Sequence, residues 1–147
     1  MSLELYRELV KPYQKELFSF IKERTEAKLF YHTCGSVVKH LEDLIEIGVD
    51  IINPVQVSAK DMDTARLKQN YGQRLVFWGG IDTQHVLPFG TEEEVAEEVK
   101  RRIKDLAPGG GYILGPVHNV QPDVPPQNLV QVFQAASQYG VYPIRLS

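Results

Sequence analysis

His32 and Cys34 stand two residues apart in the stretch FYHTCGSVVKHL, residues 30–41, where an apolar run ends and a helical pattern begins. Cys34 is the only cysteine of the chain, so it has no internal disulfide partner and is either a small buried hydrophobe or a metal ligand. Residues i and i+2 of an extended segment point to the same side, about 7 Å apart at Cα, so an imidazole nitrogen and a thiolate sulfur can turn toward one ion. A catalytic zinc wants three protein ligands and an open position. His118, in the run PVHN after the last apolar stretch, is the candidate for the third. His40 lies inside a helical pattern and His85 just past GGID, and both are expected to be structural.

Other residues of chemical interest also follow apolar runs. Asp82 is either a general acid or base or a helix cap. Gly79 and Gly80 either let a cofactor approach the backbone or make a tight turn. Asn119, beside His118, is a candidate cofactor contact, and Asn53 follows the second run. The PGGGY segment at 108–112 precedes a run and lies at the wrong end for a site. It is not a phosphate loop, because no GK[ST] or GxGxxG follows a strand.

The elements that must bring these residues together can be read from pattern. KLFY (28–31), VDII (49–52), LVFW (75–78) and GYIL (111–114) are short, unalternating and rich in β-branched or aromatic residues. Such runs suit strands of a parallel sheet. Between them, Ser36 is expected to cap a helix whose Val37, Leu41, Leu44 and Ile45 share a face, stopped by Gly48. A shorter helix follows Asp63 and ends at Gly72. Thr91 and Glu94 form a capping box ahead of the stripe Val95, Val99, Ile103 and Leu106. Another helix begins near Pro126 and runs to Gly140. Pro12 divides a helical segment that precedes the first strand. The class is α/β, four consecutive βα units behind a helical segment, and the carboxyl ends of such strands are where active sites are built.

Bulk properties narrow the function. With 43% hydrophobic and 24% charged residues the chain can bury one core, and a net charge of −3 argues against nucleic acid as a main partner. The basic run KRRIK (100–104) closes a helix opened by TEEEVAEE, complementing its dipole. No signal peptide or apolar stretch of membrane-spanning length is present, so cytoplasm is the expected location and no membrane partner is expected.

The strings HTCGSVVKHLEDLIEIGVDIINPVQVS, RLVFWGGIDTQHVLPFGTEEEVAEEVKRRI and GGGYILGPVHNVQPDVPPQNL resemble the carboxyl-terminal half of the uroporphyrinogen decarboxylase superfamily. That superfamily also contains cobalamin-dependent methyltransferases with a thiol acceptor. The resemblance implies a (β/α)8 barrel of which this chain, a single domain over 1–147, holds strands five to eight. The opening Met-Ser-Leu resembles an appended leader, so a fragment, inactive alone, is expected. The methyltransferase branch binds zinc through a His-x-Cys pair, matched by His32 and Cys34, and a later cysteine. His118 stands at that later position, where the decarboxylase branch carries a histidine. The resemblance therefore implies zinc and a methylated corrinoid with a thiol acceptor, with a corrinoid protein as partner. The alternatives it leaves are a tetrapyrrole decarboxylase and an inert remnant or partner module. Two unpaired sheet edges and an open apolar face lead to the further expectation of a homo-oligomer.

Overall fold

The computed structural model describes residues 1–146. Helices α1 (Leu3–Leu9) and α2 (Lys11–Lys22) come first, divided at Val10 with Pro12 in the opening turn of α2. Strand β1 (Phe30–His32) is followed by a 3-10 turn (Val38–His40) and helix α3 (Leu41–Glu46), then by β2 (Ile51–Asn53), α4 (Thr64–Tyr71) and β3 (Val76–Ile81). The short α5 (Val86–Phe89), the long α6 (Glu92–Leu106), β4 (Tyr112–Pro116) and α7 (Pro126–Tyr139) complete the order. All strand pairs are parallel and the spatial order is β1-β2-β3-β4, so every helical crossover leads to the adjacent strand. Four consecutive βα units in one sheet form a partial barrel, in agreement with the expected fold class.

The pleat sorts side chains by face. Tyr31, Ile52, Phe77 and Tyr112 point to the helices, where Ile52 and Phe77 are wholly buried. Their neighbours Phe30, Trp78 and Ile113 point to the other face and stay 43, 37 and 37% exposed. Phe30 and Trp78 meet edge to face with ring centroids 5.0 Å apart. That open face is the inner wall of the partial barrel. Strands β1 and β4 each have one unpaired edge among the described residues.

Helix ends follow the sequence signals at most places. Asp63 accepts from the Arg66 amide, Thr91 and Glu94 make both bonds of the capping box, and Gly140 ends α7. Ser36 departs from expectation: its side chain caps nothing, and the chain turns through the 3-10 segment before α3 begins at Leu41. Of the two readings open for Gly79 and Gly80, the tight turn does not hold, since both belong to β3. Gly79 and Gly80 adopt φ of 110° and 99°, open chiefly to glycine. A Cβ on Gly79 would lie 3.3 Å from the Val55 amide nitrogen, and one on Gly80 would lie 3.3 Å from the Tyr112 hydroxyl. The glycines thus let β3 close against its neighbours, and Tyr112 donates a 2.8 Å hydrogen bond to the Gly79 carbonyl.

The leading helices are fastened to the unit that follows. Asp43 on α3 is almost fully buried, and its Oδ1 accepts from Arg7 Nε at 3.0 Å and from Lys11 Nζ at 2.6 Å. The hydrogen bond from Arg7 is the chief cause holding its carboxyl below the usual range, against the opposing effect of desolvation. Among the described residues no helix is long and apolar enough to cross a membrane.

Candidate functional site

His32 ends β1 and Asn53 ends β2, and the register places them opposite each other. Their side chains meet: His32 Nδ1 lies 2.6 Å from Asn53 Oδ1. An amide oxygen only accepts, so the ring proton resides on Nδ1 and the bare nitrogen of the neutral ring is Nε2. Asn53 is held in turn by its own amide, which donates to the Trp78 carbonyl at 3.4 Å. Cys34, two residues beyond His32, places Sγ 3.5 Å from Nε2. The thiol is exposed, which removes the reading of Cys34 as a small buried core residue.

A tetrahedral zinc with Zn–N and Zn–S lengths of about 2.05 and 2.3 Å sets its nitrogen and sulfur ligands about 3.6 Å apart. The observed 3.5 Å fits that edge. An Nδ1–H···Oδ1 bond of this kind is what would hold a metal-ligating histidine in the correct tautomer. His118 is not part of this pair, and among the described residues no three His, Cys, Asp or Glu side chains are grouped closely enough to hold an ion. It sits on the loop after β4 and borders two cavities. One, of about 510 Å³, is shared with His32, Asn53 and Asn119. The other, of about 330 Å³, is shared with Cys34, Gln56, Gln84 and Gln121. The residue set thus fits zinc in two of its three proposed positions and leaves the third facing the pair across open space.

Asp82, at the end of β3, is 8% exposed. Its Oδ1 accepts from the amides of Gln84 at 2.7 Å and His85 at 3.2 Å, and its Oδ2 lies 3.2 Å from His85 Nδ1. These contacts shape the turn that presents Thr83 and Gln84 to the cavity. His40 packs edge-on against Tyr6 with centroids 5.0 Å apart, an aromatic contact between α1 and the turn before α3. Gln56 and Gln84 are rim residues that sequence reading missed. Nothing about a glutamine in a loop signals a site; only the fold places these two beside Cys34.

A parallel α/β partial barrel with its uncharged polar residues gathered at the carboxyl ends of the strands defines the class of protein. The model of the uroporphyrinogen decarboxylase family matches residues 1–139, and the chain belongs to that family. Among curated proteins it is 23% identical over 119 residues to a uroporphyrinogen decarboxylase of Magnetococcus marinus, covering 81% of this chain and 31% of that protein. It is 26% identical over 120 residues to the uroporphyrinogen decarboxylase of Schizosaccharomyces pombe, covering 81% and 32%. The chain thus spans about a third of the length of these relatives. Among solved structures a methyltransferase from Methanosarcina mazei superposes with a TM-score of 0.75 at 19% identity, over 96% of this chain and 39% of that one. At that identity the superposition establishes the fold.

Proposed function

We propose that the chain supplies the zinc-binding part of a methyltransferase that moves a methyl group from a methylated corrinoid to a thiol. The observation that carries this reading is the His32 Nε2 to Cys34 Sγ separation of 3.5 Å, with Nδ1 committed to Asn53. His32 and Cys34 would hold the ion, with His118 as third ligand from the loop facing them. Zinc bound there would act as a Lewis acid that lowers the pKa of the acceptor thiol. Asn53 keeps the imidazole in its ligating tautomer, and Asp82 holds the turn that carries Gln84 to the rim. In the overall reaction the corrinoid cobalt–carbon bond breaks with its electron pair left on cobalt, a sulfur–carbon bond forms, and the thiol proton is released. In the complete barrel the face at the carboxyl ends of the strands, where His32, Cys34 and His118 sit, would be the approach for a corrinoid-carrying protein.

A second reading, a tetrapyrrole decarboxylase, is favoured by the names of the two curated relatives and by the separation of His118 from the His32–Cys34 pair. There His118 would meet a substrate carboxylate and no metal would be needed. The two readings part in an assay of a complete barrel that contains this chain. Zinc-dependent loss of the methyl–cobalt absorption with formation of a thioether supports the first. Carbon dioxide release from a porphyrinogen, unaffected by Cys34→Ser, would replace it with the second.

A further inference from the structure

Cys34 also borders a cavity of a different kind. On the helix side of β1, between α1 and α3, lies a space of about 320 Å³ that no lysine, arginine, aspartate or glutamate lines. Tyr6, Val10, Val37 and Leu44 form its apolar wall, and Tyr6, Val37 and Leu44 are buried. The aromatic polar groups of this wall are largely engaged with the protein. Tyr6 donates to Gln14 Oε1 at 2.9 Å, Gln14 Nε2 donates to the Tyr31 hydroxyl at 2.8 Å, and the His40 ring packs edge-on against Tyr6. The opposite end is polar and open. Thr33, Cys34 and Ser36 stand there, half-buried or exposed, and the hydroxyls of Thr33 and Ser36 bond to no protein group among the described residues. Cys34 lies at the divide, since it lines the cavity of His118 as well.

From this arrangement we infer that the cavity binds a small molecule with an apolar body and a single hydroxyl or thiol head, the head directed at Thr33, Ser36 and Cys34. An apolar cavity of about 150 Å³ is enough to take a benzene-sized ring, so the space here holds a body of about six carbons with a short arm. Seating that body against Val10, Val37 and Leu44 removes apolar surface from water, and the two free hydroxyls offer both a donor and an acceptor to the head, which fixes its orientation. A body carrying hydroxyls all round would leave them unpaired against the same wall, and their desolvation opposes binding. The pocket itself depends on neither a metal nor a reaction. Its role in catalysis rests on the proposed function: there the head is the acceptor sulfur, which reaches Cys34 from this side, and the body is the part of the acceptor that the pocket selects.

Cyclohexanol and myo-inositol share an uncharged six-carbon ring and differ in how many hydroxyls it carries. Titration of each into the metal-free chain, followed by amide-resolved NMR, tests the inference. Cyclohexanol is expected to bind at least about tenfold more tightly than inositol, with saturable shifts at the Thr33, Ser36 and Val37 amides. Ser36 is exposed and its hydroxyl caps nothing, so Ser36→Phe blocks the open end without disturbing the core and should weaken cyclohexanol binding at least about tenfold. Should that variant melt early, Val10→Phe fills the cavity from the junction of α1 and α2 and carries the same expectation. Trp78→Ser removes the largest exposed apolar group of the inner wall and should leave the affinity within about twofold. Absent saturable binding, equal binding of inositol, an affinity unchanged in the folded filling variant, or binding lost in Trp78→Ser would overturn the inference. Neither probe carries sulfur and no metal is present, so such a failure leaves the zinc reading standing. Failure of the chain to bind zinc leaves the pocket standing.

Discussion

Two polar regions share strand β3 and follow opposite rules. Between α4 and α6, Arg102 is buried and every end of its guanidinium is used: Nε and Nη2 go to the Glu98 carboxylate at 2.9 to 3.1 Å, and Nη1 donates to the Thr64 hydroxyl at 2.9 Å. Thr64 in turn donates to Asp105. At the carboxyl ends of the strands, around Cys34 and His118, the side chains are uncharged, partly exposed, and anchored at one end only. Burial forces the first region to pair completely, since an unpaired charge away from water is costly. Among the described residues no buried side-chain nitrogen or oxygen lacks a partner. The second region keeps unused donors and acceptors because water or a ligand can reach them, and that spare capacity distinguishes a site from a scaffold.

Mutations should separate the two regions by kind of effect as well as size. Arg102→Ala strands the Glu98 carboxylate, whose side chain is 9% exposed, and is expected to cost about 3–5 kcal/mol in urea unfolding. A loss below about 1 kcal/mol would mean that the network is not the structural element described. On the open wall the expected effect is on assembly: Phe30, Trp78 and Ile113 beside two unpaired edges should drive a homodimer or larger oligomer, visible by light scattering at micromolar concentration. Trp78→Ser forfeits about 2–3 kcal/mol of burial in such an interface and should shift the protein toward monomer. A stable monomer in the unsubstituted chain would contradict this. Asn53→Ala should leave unfolding within about 1 kcal/mol of the parent while lowering zinc affinity about 10–100-fold in chelator competition, as expected for an outer contact on a ligating histidine. Unchanged affinity would show that Asn53 does not set the tautomer.

The smallest effect is at acid pH. Asp43 has a folded pKa held down chiefly by the hydrogen bond from Arg7, below the unfolded value of about 3.9. The native state therefore binds fewer protons than the unfolded one. Its contribution is present above about pH 4 and is lost as pH falls through the depressed value. Asp43→Asn should flatten the acid limb of the stability profile, and an unchanged limb would locate the acid sensitivity elsewhere.

How much could be read in advance divides along the same line. The capping box at Thr91 and Glu94, the Asp63 cap and the stops at Gly72 and Gly140 are local chemistry, and the fold repeats them. So are the four strands, whose short apolar runs recur at βα spacing. Ser36 misled because a cap needs a helix directly after it, and here Gly35, with φ of 92°, gives its amide to Gln56 and a 3-10 turn follows. Gly79 and Gly80 left two readings open, a cofactor near the backbone or a tight turn, because a glycine pair serves either, whereas the structure shows close approach by Val55 and Tyr112. The His32–Cys34 pair was legible from spacing. Its tie to Asn53 needed the β1–β2 register, and the carboxamide rim needed three loops brought to one place, neither of which a linear pattern carries.

The proposed function turns on His32 and Cys34 ligating one metal ion together. Titration of the metal-free protein with cobalt(II) measures this directly, because a cysteine thiolate on cobalt gives a sulfur-to-metal charge-transfer band in the near ultraviolet and tetrahedral coordination gives intense visible bands. Both bands are expected to saturate at about one cobalt per chain and to be displaced by zinc, with the charge-transfer band lost in Cys34→Ser and binding at least about tenfold weaker in His32→Ala. No charge-transfer band at saturating cobalt, or a band that persists at full strength in Cys34→Ser, would contradict it.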